Sequence, residues 1–208
     1  MIKKIFIVFF ISLCFISCRK TINPASDFKY YESEGKIRIT EYIGNSKDVV
    51  IPQTIDKKPV VAIENNAFAS KQLKSAEIHK SIIYIGDYAF AFNELTNFAI
   101  TRSVEHIGDF AFTQNQLKSV YLSTALTHIG NGAFSENQLS TVIIPHNLTF
   151  IGEKAFYNNE ITLLAITFSV THIGDEAFAK NQLSSVVIPN SATFIGNEAF
   201  DSNVKIRQ

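Results

Sequence analysis

The sequence lacks the features on which several common classes of protein depend. Its 208 residues include no tryptophan and only two cysteines, and their formal net charge is zero. Both cysteines, Cys14 and Cys18, lie near the amino terminus, so no disulfide framework can support a fold in the rest of the chain. Without net positive charge or a basic run, the sequence predicts no nucleic-acid partner.

Signatures of catalysis are also missing. The chain contains no P-loop, nucleophile elbow, zinc-protease helix or closely paired cysteines. Catalysis needs two or more reactive groups that converge in a pocket, whereas nearly every ionisable residue here recurs at a fixed spacing or lies at a turn. The sequence therefore predicts a protein that is not an enzyme and that uses no cofactor.

The chain is built instead on a pattern that recurs every 22 residues. One copy is Ile-Gly-Asp-Tyr-Ala-Phe at residues 85–90, and a degenerate first copy begins at Ile63. The last residues of the copies are Phe68, Phe90, Phe112, Phe134, Phe156, Phe178 and Phe200. A fixed period of this length is typical of a solenoid, in which stacked turns share one core.

Each repeat also predicts a short strand. In Leu-Lys-Ser-Val-Tyr-Leu at residues 117–122, the alternation sends neighbouring side chains to opposite faces, and stacked copies would form a parallel sheet. The Asp or Asn that follows most Ile-Gly pairs would cap a short helix carrying Ala-Phe. One asparagine per repeat would bond backbone groups at the bend: Asn93, Asn115, Asn137, Asn159, Asn181 and Asn203.

These residues resemble the BspA-type leucine-rich repeat. The shared pattern is Leu-x-x-Val-x-Ile-Pro followed by Ile-Gly-x-x-Ala-Phe-x-x-Asn-x-Leu, and it covers residues 49–200. The resemblance implies a right-handed repeat solenoid with a concave parallel β-sheet, and with short strands or helical turns on the convex side. Members of this family are often secreted or surface-anchored, and several act as adhesins, so the resemblance implies a protein of this kind. A fold alone does not establish a function.

The amino terminus predicts export and lipid anchoring. Residues 1–17 have a basic start and an apolar stretch that is too short to span a bilayer, as in a signal peptide. Ser17-Cys18 resembles a bacterial lipobox, which implies cleavage before Cys18 and lipid on its thiol. The alternatives are an ordinary cleaved signal and an uncleaved anchor. With lipid on Cys18, the protein would be held in the bacterial cell envelope, at the outer membrane or the cell surface.

The rest of the chain divides into four segments. Residues 18–35 have no period and predict a flexible tether, and residues 36–62 predict an atypical cap over the first core layer. Residues 63–200 hold the repeats. Residues 201–208 predict a carboxy-terminal cap, because Lys205 stands where the period expects Leu.

Two rows of residues fit either metal binding or a structural role. His106, His128 and His172 occupy a position that is aromatic in other repeats, which fits a metal site or a ladder of flat rings. The acidic residues after Ile-Gly fit calcium binding or a turn, but Asn131 and Asn197 interrupt them. No third ligand accompanies the histidines, so the sequence favours the structural role and predicts no metal.

The outward positions of the predicted strands hold the candidate binding surface. One outward row begins charged at Glu77 and becomes apolar further along the chain. Its apolar members and one neighbour would form a patch on four consecutive strands: Tyr121, Ile143, Leu163, Ala165 and Val187. Exposed apolar patches usually mark interaction sites, whereas β-branched residues suit any strand, so the sequence leaves both interpretations open.

The hypothesis that joins these observations is an envelope-anchored repeat lipoprotein that binds another protein through this patch, as an adhesin does. Its partner would be a host extracellular-matrix protein or a protein of the cell envelope. The alternative is an envelope scaffold whose patch drives self-association into a homo-oligomer.

Overall fold

The computed structural model describes residues 21–207, which form a β-solenoid of about eight turns with almost no helix. A 3-10 helix, Ala25–Asp27, precedes five strands at the amino-terminal end. They are β1 (Phe28–Ser33), β2 (Lys36–Tyr42), β3 (Asp48–Val50), β4 (Thr54–Ile55) and β5 (Lys58–Ile63). β1 and β2 pair antiparallel, and β2 then pairs parallel with β5. The first sheet of the solenoid therefore begins with a hairpin.

The repeats then add a three-residue and a two-residue strand alternately. They are β6 (Ser75–Glu77), β7 (Tyr84–Ile85), β8 (Asn97–Ala99), β9 (His106–Ile107), β10 (Ser119–Tyr121), β11 (His128–Ile129), β12 (Thr141–Ile143), β13 (Phe150–Ile151), β14 (Leu163–Ala165), β15 (His172–Ile173), β16 (Ser185–Val187), β17 (Phe194–Ile195) and β18 (Lys205–Arg207). The two-residue strands continue the hairpin into one ten-stranded sheet that ends at β17.

The three-residue strands form separate pairs and not the continuous parallel sheet that the sequence predicted. The pairs are β3–β6, β8–β10, β12–β14 and β16–β18. Just before the strands, Lys118 N–H donates to Thr96 within a pair at 3.0 Å, whereas Ser140 N–H reaches Lys118 across a gap at 3.5 Å. The turns therefore diverge between β10 and β12, and the ladder is interrupted there.

A stack of phenylalanine rings fills the core. The rings from Phe68 to Phe178 are completely buried, and successive centroids along the row to Phe200 lie between 4.9 and 5.4 Å apart. The Ile-Gly pair allows the turns to approach this closely. A Cβ on Gly130 would lie 2.5 Å from the carbonyl carbon of Gly108 in the preceding turn.

A ladder of asparagines supports the bend of each turn, as the sequence predicted for five of the six positions. Asn137 Oδ1 accepts the backbone N–H of Leu117 at 3.0 Å. Its amide group donates to the carbonyl oxygens of Phe112 at 2.9 Å and Phe134 at 3.2 Å. Equivalent bonds are made by Asn93, Asn115, Asn159 and Asn181. Buried backbone groups need such partners, so the ladder compensates for the irregular bend.

The predicted helix at Ala-Phe is wrong, because its N–H groups alternate between the same turn and the next turn. Ala89 N–H donates to the carbonyl of Gly86, only three positions earlier, at 3.3 Å. Phe90 N–H donates to the carbonyl of Ala111, 2.8 Å away, where a helix would use a residue four positions earlier. The acidic row has a matching role. Asp87 Oδ1 accepts the N–H of Asp109 at 2.9 Å, so these side chains link turns and cap no helix.

The prediction of a flexible tether over residues 18–35 is wrong from Asn23 onward. Asn23 exchanges hydrogen bonds with the backbone of Val50, and residues 28–33 form β1. Phe28 is only 4% exposed, and its ring lies 5.6 Å from Tyr42 and 6.2 Å from Phe68. Phe28 and Tyr42 thus cover the first ring of the stack, which would otherwise contact water. The hairpin occurs once, so the 22-residue period could not reveal it.

The last turn is two residues shorter than the period assumes. Lys205 pairs with Ser185, so it does not occupy the Leu183 row in which the sequence placed it. The same shift removes Asn203 from the asparagine ladder. Asp201 takes its place and accepts the backbone N–H groups of Lys180 and Asn181, at 2.9 and 3.1 Å.

Candidate protein-binding surface

Most of the three-residue strands expose two rows of side chains and bury the row between them. In β12 and β14 the middle residues, Val142 and Leu164, face the core, and the flanking residues face outward. This alternation follows from the pleat of a strand, in which successive Cβ atoms point to opposite faces. The outward rows form what we call the strand face.

The strand face brings the five predicted patch residues to the surface. The four large side chains are strongly exposed: Tyr121 58%, Ile143 67%, Leu163 60% and Val187 60%. Ala165 is also exposed, and it pairs in register with Ile143 across β12 and β14. These two residues and Leu163 therefore share one pair of strands, with Tyr121 and Val187 on the strands that flank it.

The interruption between β10 and β12 opens an apolar depression beside the patch. Its volume is about 350 Å³, and its lining includes Tyr121, Leu122, Ile143 and Pro145. A second depression of about 580 Å³ lies towards the amino terminus and is lined by Ser75, Glu77 and Asn97 as well as Tyr121. Tyr121 thus stands at the boundary between a polar and an apolar half of the strand face.

Charged residues lie at both ends of the strand face. Asp48 and Glu77 lie at its amino-terminal end, whereas Lys205 and Arg207 lie on β18 at the other end. The apolar patch occupies the strands between these groups. Lys74 also lines the depression at the amino-terminal end, so both signs of charge occur there, whereas the two charges on β18 are positive.

Sequence reasoning missed the corner that borders the patch. His146 and Thr124 line the apolar depression, and the neighbouring Phe168 is the most exposed large apolar side chain, at 75%, among the described residues. The rings of His146 and Phe168 lie 5.8 Å apart. These residues share one repeat position, which carries Lys80 and Arg102 in earlier turns. In this row the residues change from charged to uncharged along the chain, as they do in the row that begins at Glu77. That change could have identified the corner from the sequence.

The histidine row is a ladder of flat rings. His106 and His128 stack face to face at 4.9 Å, with Tyr84 and Phe150 stacked on either side of them. Burial lowers the pKa of His106 and of His128, and the neighbouring His106 lowers the pKa of His128 further. Asp87 and Asp109 oppose the effect on His106. Within residues 21–207, no three His, Cys, Asp or Glu side chains converge as metal ligands do.

The predicted anchor lies outside the described part of the chain. Cys18 and the predicted signal peptide, residues 1–17, precede residue 21, where that part begins. Among residues 21–207, no helix has the length and apolar character needed to cross a bilayer.

Comparisons with known proteins agree with the repeat architecture. A family model described as the BspA type leucine rich repeat region matches residues 84–207, with six copies of the repeat. None of the curated proteins matches the chain.

Solved structures of leucine-rich repeat proteins share the fold. One from T. pallidum has a TM-score of 0.54 and 24% identity, over 71% of this chain and 83% of its own. One from Bacteroides ovatus has a TM-score of 0.57 and 21% identity, over 86% of this chain and 65% of its own. A leucine rich cell surface protein from Faecalibacterium prausnitzii has a TM-score of 0.58 and 20% identity, over 89% of this chain and 54% of its own.

Proposed function

The chain belongs to the BspA-type leucine-rich repeat family, and we propose that it is a lipid-anchored envelope protein that binds another protein through its strand face. The observation that carries this proposal is the patch of Tyr121, Ile143, Leu163, Ala165 and Val187. Its four large side chains are 58% to 67% exposed, although the middle residues of β12, β14 and β16 are buried. The lipid on Cys18 would hold this surface outside the cell membrane.

The size and composition of the patch suit a protein partner. Fully covering one Ile, Leu or Val side chain is worth about 1.5–3 kcal/mol. Tyr121 adds an aromatic ring beside an apolar depression of about 350 Å³, which is the setting in which interface anchors concentrate. Polar residues border the patch, as in the rim of a protein interface. The partner class is an extracellular-matrix protein of a host or a protein of the bacterial envelope.

Site-specific photo-crosslinking on intact cells tests the proposal. A photoreactive residue at position 143 should capture one partner protein, and the same residue at position 99 should capture much less of it. Ala99 is the matched control because it lies in the same outward row as Ile143, two turns away in the polar half. Tyr121→Ala should reduce the capture at position 143.

The possible results separate the two functions. Equal capture at positions 99 and 143 would contradict a specific patch. Capture of a second copy of the chain, together with a dimer in light scattering that Ile143→Glu abolishes, would favour the envelope scaffold. Each variant must first melt like the wild type, as residues outside the core should.

A separate experiment tests the anchor. Cells grown with an alkyne-labelled fatty acid should label the protein, and Cys18→Ser should abolish the label and release the protein from membranes. Cys14→Ser is the matched control and should leave the label unchanged, because Cys14 lies within the segment predicted to be removed. A mature chain that keeps residues 1–17, or an unmodified Cys18, would contradict lipid anchoring.

A further inference from the structure

A second group of aromatic side chains lies away from the strand face, on the Ala-Phe turns. Tyr88, Phe92, Phe110 and Tyr157 line a depression of about 260 Å³. Tyr88 stacks on Phe110 at 5.0 Å and on Phe92 at 6.4 Å, and Phe92 is 43% exposed. None of these rings belongs to the buried phenylalanine stack, so the solenoid does not require them for its core.

Gly132 makes room for this group. The residue two positions after each Ile-Gly glycine has a left-handed backbone, and Gly132 occupies that position with φ of +58°. A Cβ there would lie 2.3 Å from the Phe110 ring, so only glycine lets the ring lean over this turn. Lys154 occupies the same repeat position one turn after Gly132. Lys154 and Tyr157, which belong to that turn, also line the depression.

The aromatic residues occupy backbone positions that are left-handed throughout the solenoid. Tyr88, Phe92 and Phe110 have φ angles of 55°, 58° and 55°, in a region that bulky side chains rarely adopt. Other turns use Asn, Ser, Gln, Gly, Lys or Glu at these positions. The left-handed backbone therefore belongs to the repeat, and what distinguishes this group is the presence of bulky aromatic side chains at positions that hold polar residues or glycine in other turns.

The polar groups around the depression have mixed character. The hydroxyls of Thr113 and Ser135 bond each other at 2.7 Å beneath it, and both residues are buried. Gln114 and Glu136 lie at its exposed edge. The Lys154 ammonium lies between Glu153 at 3.1 Å and Glu176 at 3.2 Å. An anion would meet the carboxylates and a cation would meet the lysine, so the site favours a neutral ligand that both donates and accepts hydrogen bonds.

We propose that this depression binds one ring of a neutral sugar. The C–H bonds on one side of a pyranose carry slight positive charge and suit the negative face of an aromatic ring. Phe92 is the most exposed of the three rings, whereas Tyr88 and Phe110 stack on each other, so Phe92 is the ring that a sugar would contact. Hydroxyls at the ring edge both donate and accept, which matches the side chains of Gln114, Glu136 and Lys154. The volume of about 260 Å³ is below the range of about 300–1,000 Å³ for drug-sized ligands, so one sugar unit fits better than a long chain.

Saturation-transfer NMR on the full chain, in a detergent without a sugar headgroup, tests the proposal. The probes are the methyl glycosides of glucose, galactose, mannose and N-acetylglucosamine. At least one should receive saturation, mainly on the protons of one ring face. Phe92→Asn should weaken its binding about two- to tenfold, as expected for the loss of an aromatic contact. Asn158 already occupies the equivalent backbone position, so this change should not disturb the turn.

Phe168→Asn is the matched control, because it removes an exposed phenylalanine outside the depression and copies Asn190 from its own row. It should bind the same glycoside as tightly as the wild type does. Phe110→Gly, which copies Gly132, should weaken binding as Phe92→Asn does. The proposal is overturned if no glycoside receives saturation from the wild type, or if Phe92→Asn and Phe168→Asn have equal affinities.

Discussion

Truncation of Phe134 to alanine would remove the central ring of the core stack. Phe134 is completely buried, and its ring stacks on Phe112 at 5.2 Å and on Phe156 at 5.3 Å. Loss of a buried phenylalanine side chain costs about 3–5 kcal/mol. About 1–3 kcal/mol of this belongs to the two ring pairs, at about 0.5–1.5 kcal/mol for each. The asparagine bonds to the Phe134 carbonyl use the backbone and should survive, so the loss measures packing.

Phe200 provides the internal comparison for this measurement. It ends the stack, is 8% exposed and has one stacked neighbour, Phe178, at 5.4 Å. Phe200→Ala should therefore lower the free energy of unfolding by less than Phe134→Ala does. The difference should be about 0.5–1.5 kcal/mol for the second ring pair, which Phe200 does not have, and slightly more because Phe200 is not completely buried. Urea denaturation followed by circular dichroism would give both values, and the interrupted core should unfold globally or in halves. A loss at Phe134 below about 0.5 kcal/mol, typical of surface positions, or a loss equal to that at Phe200 would refute the reasoning.

Three further outcomes follow from the structure. Phe28→Ala should cost about 3–5 kcal/mol in urea denaturation, because Phe28 covers the end of the stack, whereas a flexible segment would show no change. Asn137→Ala should lower the free energy of unfolding by at least about 1–3 kcal/mol in the same assay, because buried backbone groups lose their hydrogen-bond partner. A loss no larger than that of an Asn→Ala change at an exposed position would contradict this. Burial lowers the pKa of His106 and of His128, so the unfolded chain binds protons at these sites more readily. The free energy of unfolding should therefore fall as the pH drops below about 6.5, the pKa of histidine in an unfolded chain. Replacing both histidines with Phe, the residue found at position 150 of the same row, should make the melting temperature depend less on pH between pH 7 and 5.

The candidate surface could be predicted only in part. Strand alternation correctly assigned Tyr121, Ile143 and Val187 to the exposed face, because a pleated backbone leaves no other choice once the core row is known. The depression beside them was not predictable. It depends on the separation of β10 from β12, and both strands carry the same pattern as strands that do pair. That a partner binds there stays a prediction.

The sequence by itself determined the features that repeat. In a solenoid each residue contacts its equivalents one turn away, so a 22-residue period is enough to specify the phenylalanine stack and the asparagine ladder. Only the tertiary structure decided what occurs once: the hairpin that places Phe28 over the stack, the shortened turn that substitutes Asp201 for Asn203, and the space at Gly132 that Phe110 fills. The physical reason is that these contacts join unlike residues from different turns. Their geometry depends on how the stacked turns fit together, and such contacts produce no repeating pattern in the sequence.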